Sequence, residues 1–500
     1  MIVQIILVCV IIILILAFLK GRWNERYWKK RGIKFHPRNR LFGPFWDFMV
    51  QDRPMFEVFG DVHKKYKDEP VVGIGSVLAP MLYVIDPQII QHVFQTDFQS
   101  FHHRGIEAQP GDLLADNLLF MNGNRWKLLR QSISPLFTAS KLKSMYYIMD
   151  KSAQDFVKFL ENNPEKLNGD TYNTMTTFCS AAVSASVFGL TTKSVFDSPF
   201  LKMARKAFES NFKSDFRFIT LLLNPWLFRK LGMSMFGEHE DLFISAIKQT
   251  IRQREIDNIK KHDFADICVT LQKSQLRDPE TGFVLDPTDE LLAAQGFFFF
   301  IAGVEPSATA LYCTLLELGL NPHILERLHH DVDTAFEKYN GQITYEAVFN
   351  MKYMDMVLNE SMRKHPPVVM LIRECVQDSV LPVVNLKVEK GTKIIISPYH
   401  IHNDPDRYPN PESFIPERFE TKDASELYLP FGKGNRTCIG ERFARLQVKT
   451  GLSYLLRHYT VKTILDGDKL KFHKKQFQLW PANANIKLIR RENVTKTKLL

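Results

Sequence analysis

The segment Phe431-Gly-Lys-Gly-Asn-Arg-Thr-Cys-Ile-Gly440 holds the most specific pattern in this chain of 500 residues. Gly432 and Gly434 allow a tight turn and a close approach of the backbone to a flat ligand. Cys438 follows the turn and precedes an expected helix, and the free N–H groups of a helix N-terminus favour a thiolate. The segment therefore predicts a thiolate held in a glycine-rich turn, where it can bind a metal ion.

The same segment resembles the haem-binding signature of the cytochrome P-450 superfamily. All five hallmark positions are present, namely Phe431, Gly434, Arg436, Cys438 and Gly440. The resemblance implies that the Cys438 thiolate is the axial ligand of a haem b iron and that the other four residues form the haem loop. It also implies a mainly α fold with a small β region. The alternative is a buried cysteine in a glycine-rich turn, the usual role of a single cysteine.

Other segments match this family in the expected order. Trp126 and Arg130 lie four residues apart on one helix face, and the resemblance implies that both bind a haem propionate. Arg373 stands where many relatives place another propionate partner. Without the family context, a Trp/Arg pair at this spacing is an ordinary surface helix.

A charged set is expected to stabilise the segment before the haem loop. Glu360 and Arg363 are three residues apart and share a helix face, and Arg418 belongs to a downstream Pro-Glu-Arg-Phe segment. The resemblance implies that these three residues form a buried structural triad. Taken alone, a charged pair at this spacing is usually a solvated face.

The segment Ala302-Gly-Val-Glu-Pro-Ser307 lies in an expected long helix and departs from the family pattern. The resemblance implies that Ala302 and Gly303 lie at a groove for dioxygen, and that Glu305 and a following hydroxyl relay protons. Pro306 replaces the usual Thr, so it lacks that hydroxyl and predicts a kink. Ser307 and a water held by Glu305 are both open as substitutes.

Three functions fit this pattern. The first is a monooxygenase that inserts one atom of O2 into a lipophilic substrate, most like the insect microsomal branch that handles xenobiotics, lipids or hormones. The second is a peroxide-rearranging isomerase or dehydratase on the same fold, because Pro306 interrupts the relay. The third is a non-catalytic haem protein.

The N-terminus predicts a membrane anchor. Residues 2–19 are apolar except for Gln4, and seven basic residues follow within 20–34. This pattern favours an uncleaved, single-pass signal anchor in the endoplasmic reticulum, with the rest of the chain facing the cytosol; a cleaved signal peptide is the alternative. The expected organisation is an anchor over 1–20, a basic linker over 21–44 and a catalytic domain over 45–500.

Composition narrows the class of protein and its partners. Hydrophobic residues make up 45% and charged residues 24%, which excludes a disordered or collagen-like chain. The six cysteines form no CxxC pair, so disulfide frameworks and zinc sites are not expected. The net charge of +10 fits a membrane surface and an acidic protein, and nucleic acid is not expected as a partner.

The resemblance also implies partners that deliver electrons. NADPH and flavins are expected only through a partner reductase, with a small b-type cytochrome as a second donor. A basic face beneath the haem is expected to receive the reductase, and its members would be Lys127, Lys433, Arg442, Arg445 and Lys449. The apolar segments 297–304, 368–371 and 477–479 are expected to line the pocket, and segment 216–228 to enter the membrane interface.

Overall fold

The computed structural model describes residues 1–189, 196, 200–203, 212–257, 260–421, 427–474 and 479–492. Helices dominate the described chain, as predicted. The longer ones are α1 (Ile2–Lys29), α2 (Gly123–Ile133), α3 (Ala139–Asn162), α4 (Thr171–Phe188), α5 (Phe212–Leu223), α6 (Glu240–Asp257), α7 (Phe264–Gln272), α8 (Asp289–Leu320), α9 (Pro322–Lys338), α10 (Lys352–Lys364) and α11 (Glu441–His458).

The sheet content is small, and the described strands form one four-stranded sheet and three two-stranded pairs. The strands are β1 (Val71–Ile74), β2 (Met81–Val84), β3 (Leu276–Arg277), β4 (Val284–Leu285), β5 (Leu371–Glu374), β6 (Ser379–Leu381), β7 (Leu386–Val388), β8 (Lys393–Ile396), β9 (Tyr459–Leu465) and β10 (Ala484–Arg490). A four-stranded sheet has the order β1-β2-β8-β5, and only the β2–β8 pair in it is parallel. The other strands pair as antiparallel hairpins.

Helix α8 forms the centre of the largest hydrophobic core. The Thr288 hydroxyl caps it by accepting a hydrogen bond from the Leu291 N–H at 3.2 Å, and Asp289 and Glu290 follow in its first turn. The helix continues without a break through Pro306. Helix α4 packs along α8, and this tertiary packing holds the helix where proline removes one backbone hydrogen bond.

Helices α1 and α8 are both long and apolar enough to cross a membrane. Most of α8 is buried, as expected for a core helix, whereas the apolar part of α1 is exposed and forms the candidate anchor. The C-terminal part of α1 packs on the sheet, because Trp28 is buried against Gly73 and Asn24 donates to the Arg40 and Ser76 carbonyls. The segment 21–44 thus lies against β1, and the domain boundary at residue 45 stays a prediction.

Candidate active site

The cysteine loop is fixed by its own main chain. Gly434 has a φ of 75°, and a Cβ at this position would collide with the Phe94 carbonyl oxygen. The Cys438 N–H donates to the Phe431 carbonyl at 2.9 Å, and the Thr437 N–H donates to the Gly434 carbonyl at 2.9 Å. Glycine is therefore required at 434, and the turn sets the direction of the cysteine side chain.

The Cys438 thiol faces an internal space. It has accessible surface, yet burial raises its pKa, which is the combination expected for a side chain facing a cavity rather than bulk water. The Gly440 N–H donates to the sulfur and opposes this shift in pKa. A Cβ at Gly440 would stand 4.0 Å from Sγ, an ordinary contact, so the backbone N–H is what Gly440 contributes to the sulfur.

Helix α8 has an accessible stretch near its centre. Ala302 is exposed and Gly303 is partly exposed, although most of this helix is buried. Phe137 links the two elements, since its ring lies 5.5 Å from the Phe299 ring and is the nearest side chain to the Cβ direction of Gly440. The Phe137–Phe299 contact thus brings the cysteine loop next to this stretch of α8, whereas the Cβ direction of Gly303 faces Val183 of α4.

Four guanidinium groups cluster beside the loop. They belong to Arg104, Arg130, Arg373 and Arg436, and no carboxylate of the described residues lies within ion-pair distance of them. Burial and then the neighbouring arginines lower the pKa of Arg436 to about 8, and burial lowers that of Arg373 to about 9. Such a concentration of positive charge needs anionic partners.

Each arginine is oriented by main-chain oxygens. Arg436 stacks on the Trp126 ring, 3.8 Å from its centroid, and donates to the His102 and Met121 carbonyls and the Asn122 amide oxygen. Arg130 donates to the Thr437 carbonyl at 3.0 Å. The Trp126 ring thus packs against the guanidinium of Arg436, which belongs to the loop that carries the cysteine.

Arg104 is the member of this cluster that the sequence reasoning missed. It donates to the Arg436 carbonyl at 3.0 Å and favours the Cys438 thiolate electrostatically. No family motif that we considered includes it. A cation next to two histidines, in His102-His-Arg104, was the only local signal, and it does not specify a ligand.

The donor set fits a haem. One accessible thiol can bind the iron, and the unpaired guanidinium groups can bind the two propionates. The Arg373 Nε is buried without a hydrogen-bond partner among the described residues, as expected of a donor meant for an absent oxygen acceptor. Cys438 would hold the iron, and Arg104, Arg130, Arg373 and Arg436 are the candidates for the propionates.

Glu360, Arg363 and Arg418 are in contact. The Glu360 carboxylate accepts from Arg363 at 2.8 and 3.0 Å and from Arg418 at 3.3 Å. Glu360 and Arg363 have no exposed surface. Arg363 also donates to the His402 and Pro411 carbonyls at 2.9 and 2.7 Å, so it ties α10 to the segment that leads to the cysteine loop.

The acid of α8 points to a neighbouring helix. The Glu305 carboxyl is buried and accepts a hydrogen bond from the Tyr172 hydroxyl of α4. Burial raises the pKa of Glu305 to about 7, and the hydrogen bond from Tyr172 opposes this rise. Ser307 is also buried, and its hydroxyl has no hydrogen-bond partner among the described residues.

The prediction of a basic face beneath the haem is wrong in part. Lys449 is buried and pairs with Asp355 at 2.8 Å, so it does not lie on an accessible surface. Lys127 pairs with Glu280 at 2.7 Å. Spacing of i, i+3 and i+7 identified one helix face, but packing against α10 and its neighbours buries the last position. Arg442 remains exposed, and Arg445 is partly buried.

The substrate segments have mixed outcomes. In 216–228, Trp226 is 59% exposed, whereas Leu222 and Phe228 are buried. Phe298 and Phe299 on α8 are only partly buried, whereas Phe297 and Phe300 belong to the core. Residues 475–478, which include Phe477, lie outside the described residues, and Leu479 is buried.

Comparison with known proteins gives a consistent result. A sequence model of the family described as cytochrome P450 matches residues 35–488. The chain is 33% identical to cytochrome P450 6k1 of Blattella germanica over 481 residues, which is 92% of each chain. It is 32% identical to probable cytochrome P450 6a13 of Drosophila melanogaster, over 91% of this chain and 92% of the relative. It is 34% identical to cytochrome P450 6A1 of Musca domestica, over 89% of each.

Proposed function

We propose, from the premise that this chain belongs to the insect branch of the cytochrome P450 family, that it oxygenates lipophilic substrates with electrons from NADPH and a flavin reductase. Membership makes the chain a haem monooxygenase with a cysteine thiolate as axial ligand. The observation that carries the proposal is Cys438 in its fixed turn, beside four clustered arginines, two of them buried, that have no carboxylate partner among the described residues.

We propose different roles in the reaction for the haem and for the residues around it. The bound haem supplies the activation of O2 and the transfer of one oxygen atom. Cys438 is proposed to hold the iron, and Trp126 with the arginines to orient the haem through its propionates. The balance is substrate C–H, O2, NADPH and one proton giving C–OH, water and NADP+. Ala302 is exposed and leaves space beside α8, whereas Gly303 lets α8 pack closely on Val183 of α4, and Glu305 is proposed to hold a proton.

A lipophilic substrate is supported by the accessible part of α8. Phe298, Phe299 and Ile301 are partly exposed there, next to Ala302, and Val368 is 37% exposed. Binding sites for small molecules are mostly apolar, with few polar groups. We infer that these side chains contact the substrate, whose class is a xenobiotic, a lipid or a hormone.

A membrane location is proposed from the apolar surface near α1. The exposed parts of α1, Leu78 and Trp226 are large apolar side chains, and Lys20 donates to the Leu78 carbonyl at 2.8 Å. Apolar side chains with basic residues beside them favour a bilayer surface. We propose an endoplasmic reticulum anchor with the catalytic domain facing the cytosol, where the reductase and a small b-type cytochrome can reach the exposed Arg442.

The test uses the full chain in vesicles with an NADPH-dependent flavin reductase and a panel of lipophiles. Product should form with NADPH and reductase together, and neither should suffice alone. A parallel arm supplies a hydroperoxide without NADPH. Product in the hydroperoxide arm only would contradict reductase dependence and favour a peroxide-rearranging enzyme, the function that Pro306 supports because it has no hydroxyl.

A further inference from the structure

A buried hydroxyl network surrounds the acid of α8. The Tyr172 hydroxyl bonds the Glu305 carboxyl and lies 3.1 Å from the Thr309 hydroxyl, one turn further along α8. The Tyr172 ring stacks on Trp480, with centroids 4.4 Å apart and an interplanar angle of 19°. The phenol is thereby held against the carboxyl from two sides.

The other candidate hydroxyl is not placed to act on the acid. Pro306 has none, and Ser307 lies about 100° further around α8. The Ser307 hydroxyl is buried and bonds to no described residue, including Glu305. Thus the described hydroxyl groups that contact this carboxyl, directly or through one bond, are those of Tyr172 and Thr309.

We propose that Tyr172 is a positioning residue for oxygen activation: with Thr309, it gives Glu305 the hydroxyl partners that Pro306 cannot supply. This role rests on the proposed function. Tyr172 acts through Glu305, which gives a proton towards the accessible face of α8 and regains one from the hydroxyl network. The network then takes up one solvent proton per turnover, so its charge is restored.

The charges around the pair support a shared proton. Glu305 faces Tyr172 and Cys179 of α4, and Tyr172 also faces Thr309 and Cys313 of α8. Among the described residues, no cation lies close enough to shift the pKa of either Glu305 or Tyr172. Burial raises the pKa of Glu305 to about 7 and that of Tyr172 well above its ordinary value, so near neutral pH Tyr172 keeps its proton while Glu305 can both give and take one.

The experiment compares Tyr172→Phe with Tyr312→Phe in the reconstituted holoenzyme. Tyr312 is a matched control because it is buried and its ring lies 5.5 Å from that of Tyr172, but its hydroxyl does not bond to Glu305. Product formed per NADPH consumed should fall roughly tenfold in Tyr172→Phe, the effect of one hydrogen bond to a charged or reacting group, and stay near wild type in Tyr312→Phe. Adding Tyr172→Phe to Glu305→Gln should give no further loss.

A second readout does not need turnover. The infrared carbonyl stretch of the protonated Glu305 carboxyl, identified by its absence in Glu305→Gln, is titrated in the resting enzyme. Tyr172 lowers the pKa of Glu305 through its hydrogen bond, so Tyr172→Phe should move this titration to higher pH and shift the band. The pH profile of product per NADPH should move in the same direction.

The outcomes separate this role from the proposed function. A wild-type enzyme that makes no product with NADPH would overturn both. A productive wild type whose coupling, band and pH profile all survive Tyr172→Phe would overturn the role of Tyr172 alone. A loss of product with an unchanged band and pH profile would also overturn it, since a merely structural defect has that result. An equal loss in Ser307→Ala, additive with Tyr172→Phe, would assign the hydroxyl to Ser307 instead.

Discussion

The cysteine loop and Glu305 at the centre of α8 are held in different ways. The backbone of the loop is fixed by main-chain hydrogen bonds within it and by Gly434, which packs against the Phe94 carbonyl. At the centre of α8, the acid depends on a phenol 133 positions away, on another helix. The turn of the loop therefore follows from a short sequence pattern, whereas the surroundings of Glu305 depend on how α4 packs on α8.

The largest expected effect concerns the cysteine loop. Cys438→Ser should abolish the thiolate-bound haem and all turnover, because serine does not supply a soft sulfur ligand. The measurement is the absorption spectrum of the reduced protein with carbon monoxide. Cys375→Ser is the matched control, since this buried thiol donates to the Gln377 carbonyl and serine can also donate there. A normal spectrum in Cys438→Ser would remove Cys438 as the ligand.

The next effect tests how far the loop depends on its support. Glu360→Ala leaves Arg363 buried without its carboxylate, which should destabilise the protein by about 3–5 kcal/mol and prevent stable haem binding. Haem content per protein after purification measures this. Glu165→Ala, at an exposed position, is the control. Full haem content in Glu360→Ala would contradict the structural role of the triad.

The third expected effect concerns Glu305, at the centre of α8, and depends on pH. The pKa of Glu305 is raised by burial to about 7, so its contribution to stability is fully present below its ordinary pKa and is lost as pH rises through about 7. Glu305→Gln lacks this titration. Relative to wild type, its free energy of unfolding should therefore rise by roughly 2–3 kcal/mol between pH 5 and 8. Urea unfolding at both values measures the change, and Glu165→Gln should show none.

The smallest expected effect tests whether Arg104 belongs to the residues that hold the haem beside the cysteine loop. Arg104→Met removes one donor of the propionate cluster while the other three arginines remain, so haem should dissociate roughly tenfold faster. Transfer of haem to an apoprotein acceptor measures the rate. Arg125→Met, which removes an exposed arginine paired with Asp116, should leave the rate unchanged. An unchanged rate in Arg104→Met would exclude Arg104 from haem binding.

Local patterns explain what could be predicted from the sequence. The mainly α fold with a small β region was expected, and the glycine turn before Cys438 could be predicted because Gly434 adopts the positive φ that a Gly-rich turn requires. Lys449 was placed wrongly, since helical spacing does not tell which neighbours cover a face. Arg104 and Tyr172 were missed because their partners lie far away in the sequence and no short pattern includes both sides of the contact.

The junction between α1 and β1 has a mechanical consequence. Helix α1 is one continuous rod of 28 residues, about 42 Å long, and its last turn is wedged against the sheet by Trp28. The C-terminal part of α1 and the sheet therefore pack directly on each other. With α1 as the proposed anchor, its tilt in the lipid would set the height of Leu78, and with it the cavity of about 220 Å³ that Leu78 lines with Leu222, Leu223 and Pro225. We expect a thicker bilayer to change the orientation of this cavity relative to the membrane.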